Sequence, residues 1–131
     1  MTIGQAIYEI LSGNASLTAV VPSTSIGAIN LPKDFKNPCV IYSRSSTIPD
    51  TTKEAEYWQQ VTYEVDCFAS TAKQAREIAD LCKDALNRYT GAFTGFTIDL
   101  IRFEGQDDRN YDPDNGTYQV SQGYLVTVKN D

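Results

Sequence analysis

The sequence contains no histidine, and this absence excludes a large part of known enzyme chemistry. Imidazole is the general base of Ser-His-Asp and Cys-His triads and a common ligand in zinc sites of the Cys/His kind. Cysteine is also sparse, because Cys39, Cys67 and Cys82 are an odd number and stand far apart. Two of the three fall on apolar faces of predicted elements, so we expect buried free thiols. A bridge or a reactive thiol is the less favoured alternative.

Basic residues and long hydrophobic runs are scarce as well. Eleven Lys and Arg stand against seventeen Asp and Glu, which gives a formal net charge of -6 at pH 7. Affinity for a nucleic-acid backbone comes from neutralising phosphates with Lys and Arg, so tight binding to DNA is not expected. No apolar run approaches the roughly 20 residues that span a bilayer. Residues 1–11 also lack the basic start and apolar core of a signal peptide. We therefore expect no membrane contact and a cytoplasmic site of synthesis.

The composition that remains is that of an ordinary globular domain. The chain has 131 residues, of which 41% are hydrophobic and 21% are charged. A chain of this length buries about two thirds of the surface that its unfolded form exposes, so a disulfide is not required. We expect one domain that spans residues 1–131.

The clearest pattern lies at residues 61–89, where a strand runs directly into a helix. Apolar and polar residues alternate from Val61 to Ala69, which is the period of a half-buried strand. Thr71 stands three residues before Gln74, and this capping-box spacing predicts a helix start. Apolar residues then recur at spacings of three and four. The helix therefore carries an apolar stripe that needs a sheet to cover.

The other segments supply that sheet. A second capping-box spacing, Thr2 and Gln5, predicts a helix over residues 3–12, which a short helical turn follows. Strands are predicted over 39–47, 96–104 and 118–128, with a brief extended piece at 26–29 and a turn at 90–95. The order helix, strands, helix, hairpin predicts an α+β domain. We expect a mostly antiparallel sheet of four to five strands with two main helices packed on one face.

The predicted strand at 96–104 changes its alternation midway. Phe96, Ile98 and Leu100 fall on one face, whereas Ile101 and Phe103 fall on the other. This pattern indicates either a bulge or a strand that is buried on both sides.

Residues 46–58 are predicted to be a long hairpin connection, because they carry Pro, Asp, Thr and mixed charge between two strands. Loops of this length inside compact domains tend to be functional or disordered. This one ends in Tyr57 and Trp58, the single tryptophan. The two aromatic residues either close the base of the loop or contact a partner, since Tyr and Trp are enriched in interfaces.

Residues 105–116 are predicted to be an acidic, turn-rich connection. They end in Asn115-Gly116, the dipeptide best suited to a type I′ hairpin turn. Oxygen-bearing side chains at every second position resemble a calcium loop, but that pattern requires glycine where Asn115 stands and an acidic residue where Ser121 stands. We interpret the segment as a solvated turn and expect no metal.

Glu64 and Asp66 form the carboxylate pair considered for catalysis. Two residues apart on one strand, they lie about 7 Å from each other, a spacing compatible with glycosidic acid/base chemistry. Any solvent-facing strand half has the same pattern, and nothing nearby indicates the desolvation that would raise a carboxyl pKa. A small acid-pair hydrolase is therefore the less favoured hypothesis. No glycine-rich phosphate loop is present, and no cofactor is expected.

Four segments in a fixed order carry a family resemblance. The chain opens with MTIGQAIYEILSGNASLTAVV and continues with PCVIYSRSSTIPD, VTYEVDCFASTAKQAREIADLCKDALN and FTIDLIRFEGQDDRNYDPDNGTYQVSQGYLV. The strand VDCFA before a helix of A-x-x-I-A-D-L type, together with an acidic turn before G-x-Y-x-V-S, is an uncommon combination. Over nearly the whole chain, these segments resemble the tail-completion or tail-terminator proteins of long-tailed bacteriophages, which include tail-to-head joining proteins.

The resemblance implies a non-enzymatic virion protein that assembles as a ring, a hexamer, on the last layer of tail-tube subunits. Such a ring would stop tube growth and present a surface to the head connector or neck protein, while DNA passes through its lumen without specific binding. A head-side connector or another interaction module is the alternative. We expect subunit or tube contacts at loop 46–58 and the lumen or head side at turn 105–116. The candidate interface residues are Arg44, Asp50, Tyr57, Trp58, Asp107, Asp108 and Arg109.

Overall fold

A computed structural model describes residues 2–28, 38–49, 58–108 and 116–130, with the backbone alone at 46–49 and 108. The α+β class expected from the sequence is confirmed. In chain order the elements are α1 (Ile3–Ser12), α2 (Ala15–Thr18), a 3-10 turn (Ser23–Ser25), β1 (Ile26–Ala28), β2 (Cys39–Pro49), β3 (Trp58–Ala69), α3 (Ala72–Leu86), β4 (Gly91–Phe93), β5 (Phe96–Asp108) and β6 (Tyr118–Asn130).

The strands form one six-stranded sheet with the order β1-β2-β3-β6-β5-β4. β1 pairs with β2 in parallel, and the other four neighbouring pairs are antiparallel. The expected number of four to five strands is therefore too low, and the sheet is mixed. The difference arises at the two edges. β1 and β4 have three residues each, which is too short for alternation to be visible, and β4 lies in the segment that was predicted to be a turn.

The core lies between the helices and one face of the sheet. On β3 every second residue from Val61 to Ala69 is buried, and the residues between them are half-buried. α3 contacts β3 and β6, and α1 contacts β1 and β2, so the prediction that both main helices cover one face is correct. The helices contribute to this core through Ile3, Ala6, Ile7, Leu11, Leu17, Ala75, Ile78, Ala79, Cys82 and Leu86.

The sheet curls toward the helices. Tyr42 on β2 and Thr94 in the turn between β4 and β5 line one cavity together with side chains of α1. Three strands separate β2 from β4, and a flat sheet would hold these two strands roughly 19 Å apart. Because the β2 edge and the β4 edge of the sheet both approach α1, the sheet forms a half-barrel.

Side-chain caps explain where the helices begin. The Thr2 hydroxyl accepts a 3.1 Å hydrogen bond from the backbone N–H of Gln5, and the N–H of Thr2 donates to the Gln5 side chain at 2.8 Å, which completes the capping box. At α3 the Thr71 hydroxyl accepts from the N–H of Gln74 at 3.1 Å. Both predicted helix starts are confirmed.

The two predicted connections are shorter than expected. The first predicted connection was expected over residues 46–58. Residues 46–49 instead pair with β3 as the end of β2, and Trp58 is the first residue of β3. β5 continues to Asp108, so residues 105–108 belong to a strand and not to the acidic turn. Pro49 and the run from Gly105 to Asp108 are residue types typical of turns, and the sequence pattern therefore does not mark them as strand.

β5 contains two irregularities in its pairing with β6, one between Ile98 and Leu100 and one between Phe103 and Gly105. Ile98 and Ile101 are fully buried, whereas Leu100 is 38% exposed. The bulge interpretation is therefore correct, but the expected placement of Leu100 on the same face as Ile98 is wrong. An extra residue in a strand reverses the side on which the following side chains lie.

Candidate interaction surface

The face of the sheet opposite the helices, called the open face here, is rich in carboxylates. Glu64 and Asp66 lie on it from β3, and Glu104 and Asp107 lie on it from β5. Glu64 and Asp66 are half-buried, whereas Glu104 and Asp107 are exposed. The prediction that Glu64 and Asp66 share a polar face is confirmed. The two residues from β5 were not recognised as their neighbours, because that contact depends on the β3-β6-β5 strand order.

A groove of about 550 Å³ runs across the open face. Its floor includes Gly105 and Gly123, which are paired directly opposite each other on β5 and β6. A methyl group added at Gly123 would contact only Cβ of Glu104, at 3.8 Å, and one added at Gly105 would meet nothing within 4 Å. Glu64 and Asp107 also line the groove. The groove is therefore a space without side chains between walls that carry negative charge.

Two hydrogen-bonded groups lie along this face. The Ser121 hydroxyl donates a 2.6 Å hydrogen bond to Oδ1 of Asp66, and the Gln119 side-chain amide donates to the Ser121 oxygen at 3.2 Å. Nη2 of Arg102 lies 3.2 Å from Oε1 of Glu104, and these side chains are 62% and 41% exposed. An ion pair as exposed as this one contributes little to stability. Asp66 is thus part of a structural network, and Glu104 is accessible to other cations.

The helix-covered side of β6 carries a buried polar network that the sequence did not reveal. The Gln122 side-chain amide donates to the carbonyl oxygen of Ala79 at 2.8 Å and to Oε1 of Gln106 at 2.9 Å. The Tyr124 hydroxyl donates to Oε1 of Gln122 at 2.7 Å. Burial raises the pKa of Tyr124 far above its ordinary range, so this hydroxyl remains a donor. The network joins β6 to α3.

All three cysteines are buried free thiols, as predicted. The Sγ atoms of Cys67 and Cys82 lie 3.9 Å apart between β3 and α3. The hydrogen bond to Cys82, together with burial, raises the pKa of Cys67 well above its ordinary value, and burial raises the pKa of Cys39 to about 11. The thiolate is the nucleophilic form of cysteine. Cys39 and Cys67 therefore do not act as nucleophiles at neutral pH.

A comparison with protein families decides the identity of the chain. The family model described as tail completion protein gp17 matches residues 5–129. The chain belongs to this family. As a tail completion protein, it is a structural component of a phage-type tail and belongs to the virion. The bacteriophage tail-completion resemblance seen in the sequence is thereby confirmed.

The fold of this tail completion protein is also found in a solved structure. A chain of the virion of a native gene transfer agent particle is similar to it, with a TM-score of 0.77 and 16% sequence identity. The similarity covers 97% of this chain and 94% of that chain. A search of curated protein sequences found no match. At this level of identity, the structural similarity shows that the fold is shared.

The predicted interface residues of the tail completion protein are spread over the sheet. Arg44 is exposed on β2, and Asp107 is exposed on β5, with β3 and β6 between them. Trp58 is the first residue of β3 and is half-buried, and Nζ of Lys129 lies 5.9 Å from its ring centroid. The structure therefore does not bring Arg44, Trp58 and Asp107 together, and of these three Asp107 alone lines the groove.

The remaining predicted interface residues have less structural information. Asp108 is the last residue of β5. Asp50, Tyr57 and Arg109 lie outside the described residues.

Neither a membrane span nor a metal site is found in the part of the chain that the structure describes. None of its helices has the length and apolar character needed to cross a bilayer. None of its clusters of Cys, Asp and Glu could hold a metal ion.

Proposed function

We propose that the protein forms a ring, a homohexamer, that caps the phage tail tube, ends its growth and joins the tail to the head connector. The family match over residues 5–129 carries this proposal. The likeness of the whole fold to a chain of a gene transfer agent virion supports it. The role is structural and non-enzymatic, residues 1–131 act as one domain, and assembly takes place in the host cytoplasm.

The charge of the chain is compatible with a ring through which DNA moves. A net charge of -6 gives each copy a surplus of carboxylates. Negative charge that lines a lumen repels the phosphate backbone, so DNA slides past without specific binding. Within this proposal, the strand end and turn at 105–116 face the lumen or the head side.

The edges of the sheet suit contacts between neighbouring copies. Within the described residues, β1 covers β2 at Val40–Tyr42 only, and Arg44 lies just beyond this pairing. On the opposite side of the sheet, β4 covers β5 at Phe96–Ile98 only. Exposed strand edges pair readily with other chains, and a contact between two different edges is the head-to-tail type from which rings are built. We place subunit or tube contacts at Arg44, the 46–58 region and Trp58.

The mass of the purified protein, alone and mixed with tail tubes, tests this proposal by light scattering and sedimentation. We expect either a closed ring or a monomer that binds tube ends and stops their elongation. A protein that stays monomeric and leaves tube growth unchanged would contradict the capping role. It would also favour the alternative, a head-side connector. Gene order separates the two, because we expect the tail-tube and tape-measure genes just downstream of a tail-completion gene but not of a connector gene.

Trp58→Ala tests the proposed contact region, with Gln60→Leu on the same strand as the control. We expect Trp58→Ala to weaken ring formation or tube binding, because Trp is a frequent anchor in protein interfaces. Equal assembly of the two variants would remove Trp58 from the contact and leave the capping proposal intact.

A further inference from the structure

We infer that the groove on the open face binds an extended segment of another protein that carries Arg or Lys side chains. The groove has a floor of two facing glycines, Gly105 and Gly123, and its walls carry Glu64, Glu104 and Asp107. No helix covers this side of the sheet in the described part of the chain. A surface with empty space between carboxylates complements a long cationic side chain in both shape and charge.

The carboxylates of the β5 wall are available to such a partner. The Asp107 side chain is exposed and makes no hydrogen bond or ion pair with any residue in the described ranges. Glu104 is paired with Arg102 in a contact that is open to solvent on both sides. Because an exposed pair of this kind contributes little, an incoming guanidinium can share or replace Arg102 at small cost.

The spacing of the walls favours a side chain on a flexible stem over a bound metal ion. Glu64 lies on β3 and Glu104 on β5, with β6 between them. Two strand spacings place the two backbones about 10 Å apart, and the described residues contain no group of Cys, Asp and Glu that could hold a metal ion. The planar fork of arginine can instead donate to one wall while its stem lies over the glycine floor. A segment with basic residues at alternate positions can reach both walls.

The same charges argue against two other occupants. Nucleic acid carries the same sign of charge as the groove and is repelled. A segment of a second copy fits this acidic groove less well than a basic segment does, because the chain carries seventeen acids against eleven bases. The occupant is therefore a different protein with a basic segment.

A peptide-binding experiment tests the inference. A fluorescein-labelled peptide of alternating glycine and arginine is titrated with the free chain at physiological salt, and fluorescence anisotropy measures its binding. We expect Glu104→Gln with Asp107→Asn to weaken binding at least about tenfold, which corresponds to ~1.4 kcal/mol. The matched control is Glu77→Gln with Asp80→Asn, which removes the same charge from exposed positions of α3. We expect the control to change binding less than about twofold, because it leaves the local contacts intact.

A second pair of variants tests shape without altering charge. Gly123→Val places side-chain atoms in the groove, whereas Thr127→Val puts the same residue type on β6 beyond the groove, where a β-branched side chain already stands. We expect Gly123→Val alone to weaken peptide binding. Equal loss with both charge pairs, or unchanged binding with Gly123→Val, would overturn the inference. A third result would also overturn the inference. If the wild type does not bind the peptide and the Glu104→Gln, Asp107→Asn variant loses self-association, the occupant of the groove is a second copy.

This inference goes beyond ring formation and does not depend on it. Peptide binding is measured on the free chain, whereas capping is read from mass and tube growth. A wild-type protein that caps tubes but does not bind the peptide would overturn the inference alone. One that binds the peptide but ignores tubes would contradict the capping proposal alone.

Discussion

The hydroxyl of Tyr124 donates a 2.7 Å hydrogen bond to Oε1 of Gln122, and both side chains are buried beneath α3. The amide nitrogen of the same glutamine donates to the carbonyl oxygen of Ala79 in the middle of α3. Buried polar groups are costly unless they are hydrogen-bonded. Because Gln122 is hydrogen-bonded both to Tyr124 on β6 and to Ala79 on α3, it fixes the position of α3 on the sheet.

Gln122→Leu is expected to lower the free energy of unfolding by about 1–3 kcal/mol, because the buried Tyr124 hydroxyl loses its acceptor. Urea denaturation measures this change. Adding Tyr124→Phe is expected to restore part of the loss, since no unpaired hydroxyl then remains. The control, Gln60→Leu at an exposed site on β3, should change stability by no more than about 0.5 kcal/mol. A double variant less stable than Gln122→Leu alone would contradict this account.

The bulge in β5 predicts opposite sensitivities at two adjacent positions. Ile101→Ala should lower the free energy of unfolding by about 2–5 kcal/mol, because it leaves a cavity in the core. Leu100→Ala should change it by no more than about 0.5 kcal/mol, because Leu100 is 38% exposed. Thermal or urea unfolding of the two variants measures the difference. Comparable losses at both positions would show that the strand is buried on both faces and that no bulge reverses it.

Buried thiols predict a loss of stability at alkaline pH. Burial raises the pKa of Cys39 from its ordinary value of 9.0 to about 11. Between pH 9 and pH 11, the thiol of the unfolded chain loses its proton while that of the folded chain keeps it. The stabilising contribution is therefore complete below pH 9 and is lost as pH rises through about 11.

Urea midpoints measured at these two pH values check the prediction. Cys39→Ala should show a smaller fall than the wild type, because its unfolded chain has one thiol fewer to ionise. An identical pH dependence in the two proteins would contradict the assignment to Cys39.

The two helix caps predict unequal effects of their glutamines. Thr2→Ala and Thr71→Ala should each cost about 1 kcal/mol, because each removes the acceptor for a free N–H of the first turn. Gln5→Ala should add a further loss at α1, where the Gln5 side chain accepts from the N–H of Thr2 at 2.8 Å. Gln74→Ala should have the smaller effect, since no such return bond is found among the described residues of α3. Chemical denaturation of the four variants measures these differences, and equal effects of the two glutamines would contradict them.

Parts of the fold with strong local signals could be predicted from the sequence. The capping threonines and the regular apolar spacing specify α1 and α3, and the alternation from Val61 to Ala69 specifies the buried face of β3. The strand residues at 48–49 and 105–108 were missed, because Pro49 and the run from Gly105 to Asp108 look like a loop in the sequence.

The candidate surface was predictable in part only. The sequence placed Glu64 and Asp66 on one polar face and selected Asp107 as a contact residue. It did not show that Glu64 and Asp107 border the same groove, because β6, the last strand in the chain, lies between β3 and β5. The glycine floor is another product of that pairing, since Gly105 and Gly123 are eighteen positions apart in sequence and face each other in register.

Local sequence therefore determined the helices, the principal strands, the free buried thiols and the absence of histidine chemistry, because capping, periodicity and residue type act over a few residues. The tertiary structure decided how the short edge strands pair, the choice of a bulge over a strand buried on both sides in β5, the burial of Gln122 and the acidic groove. Each of these depends on which strands lie side by side, and strand order is set by packing of the whole core and not by any single segment.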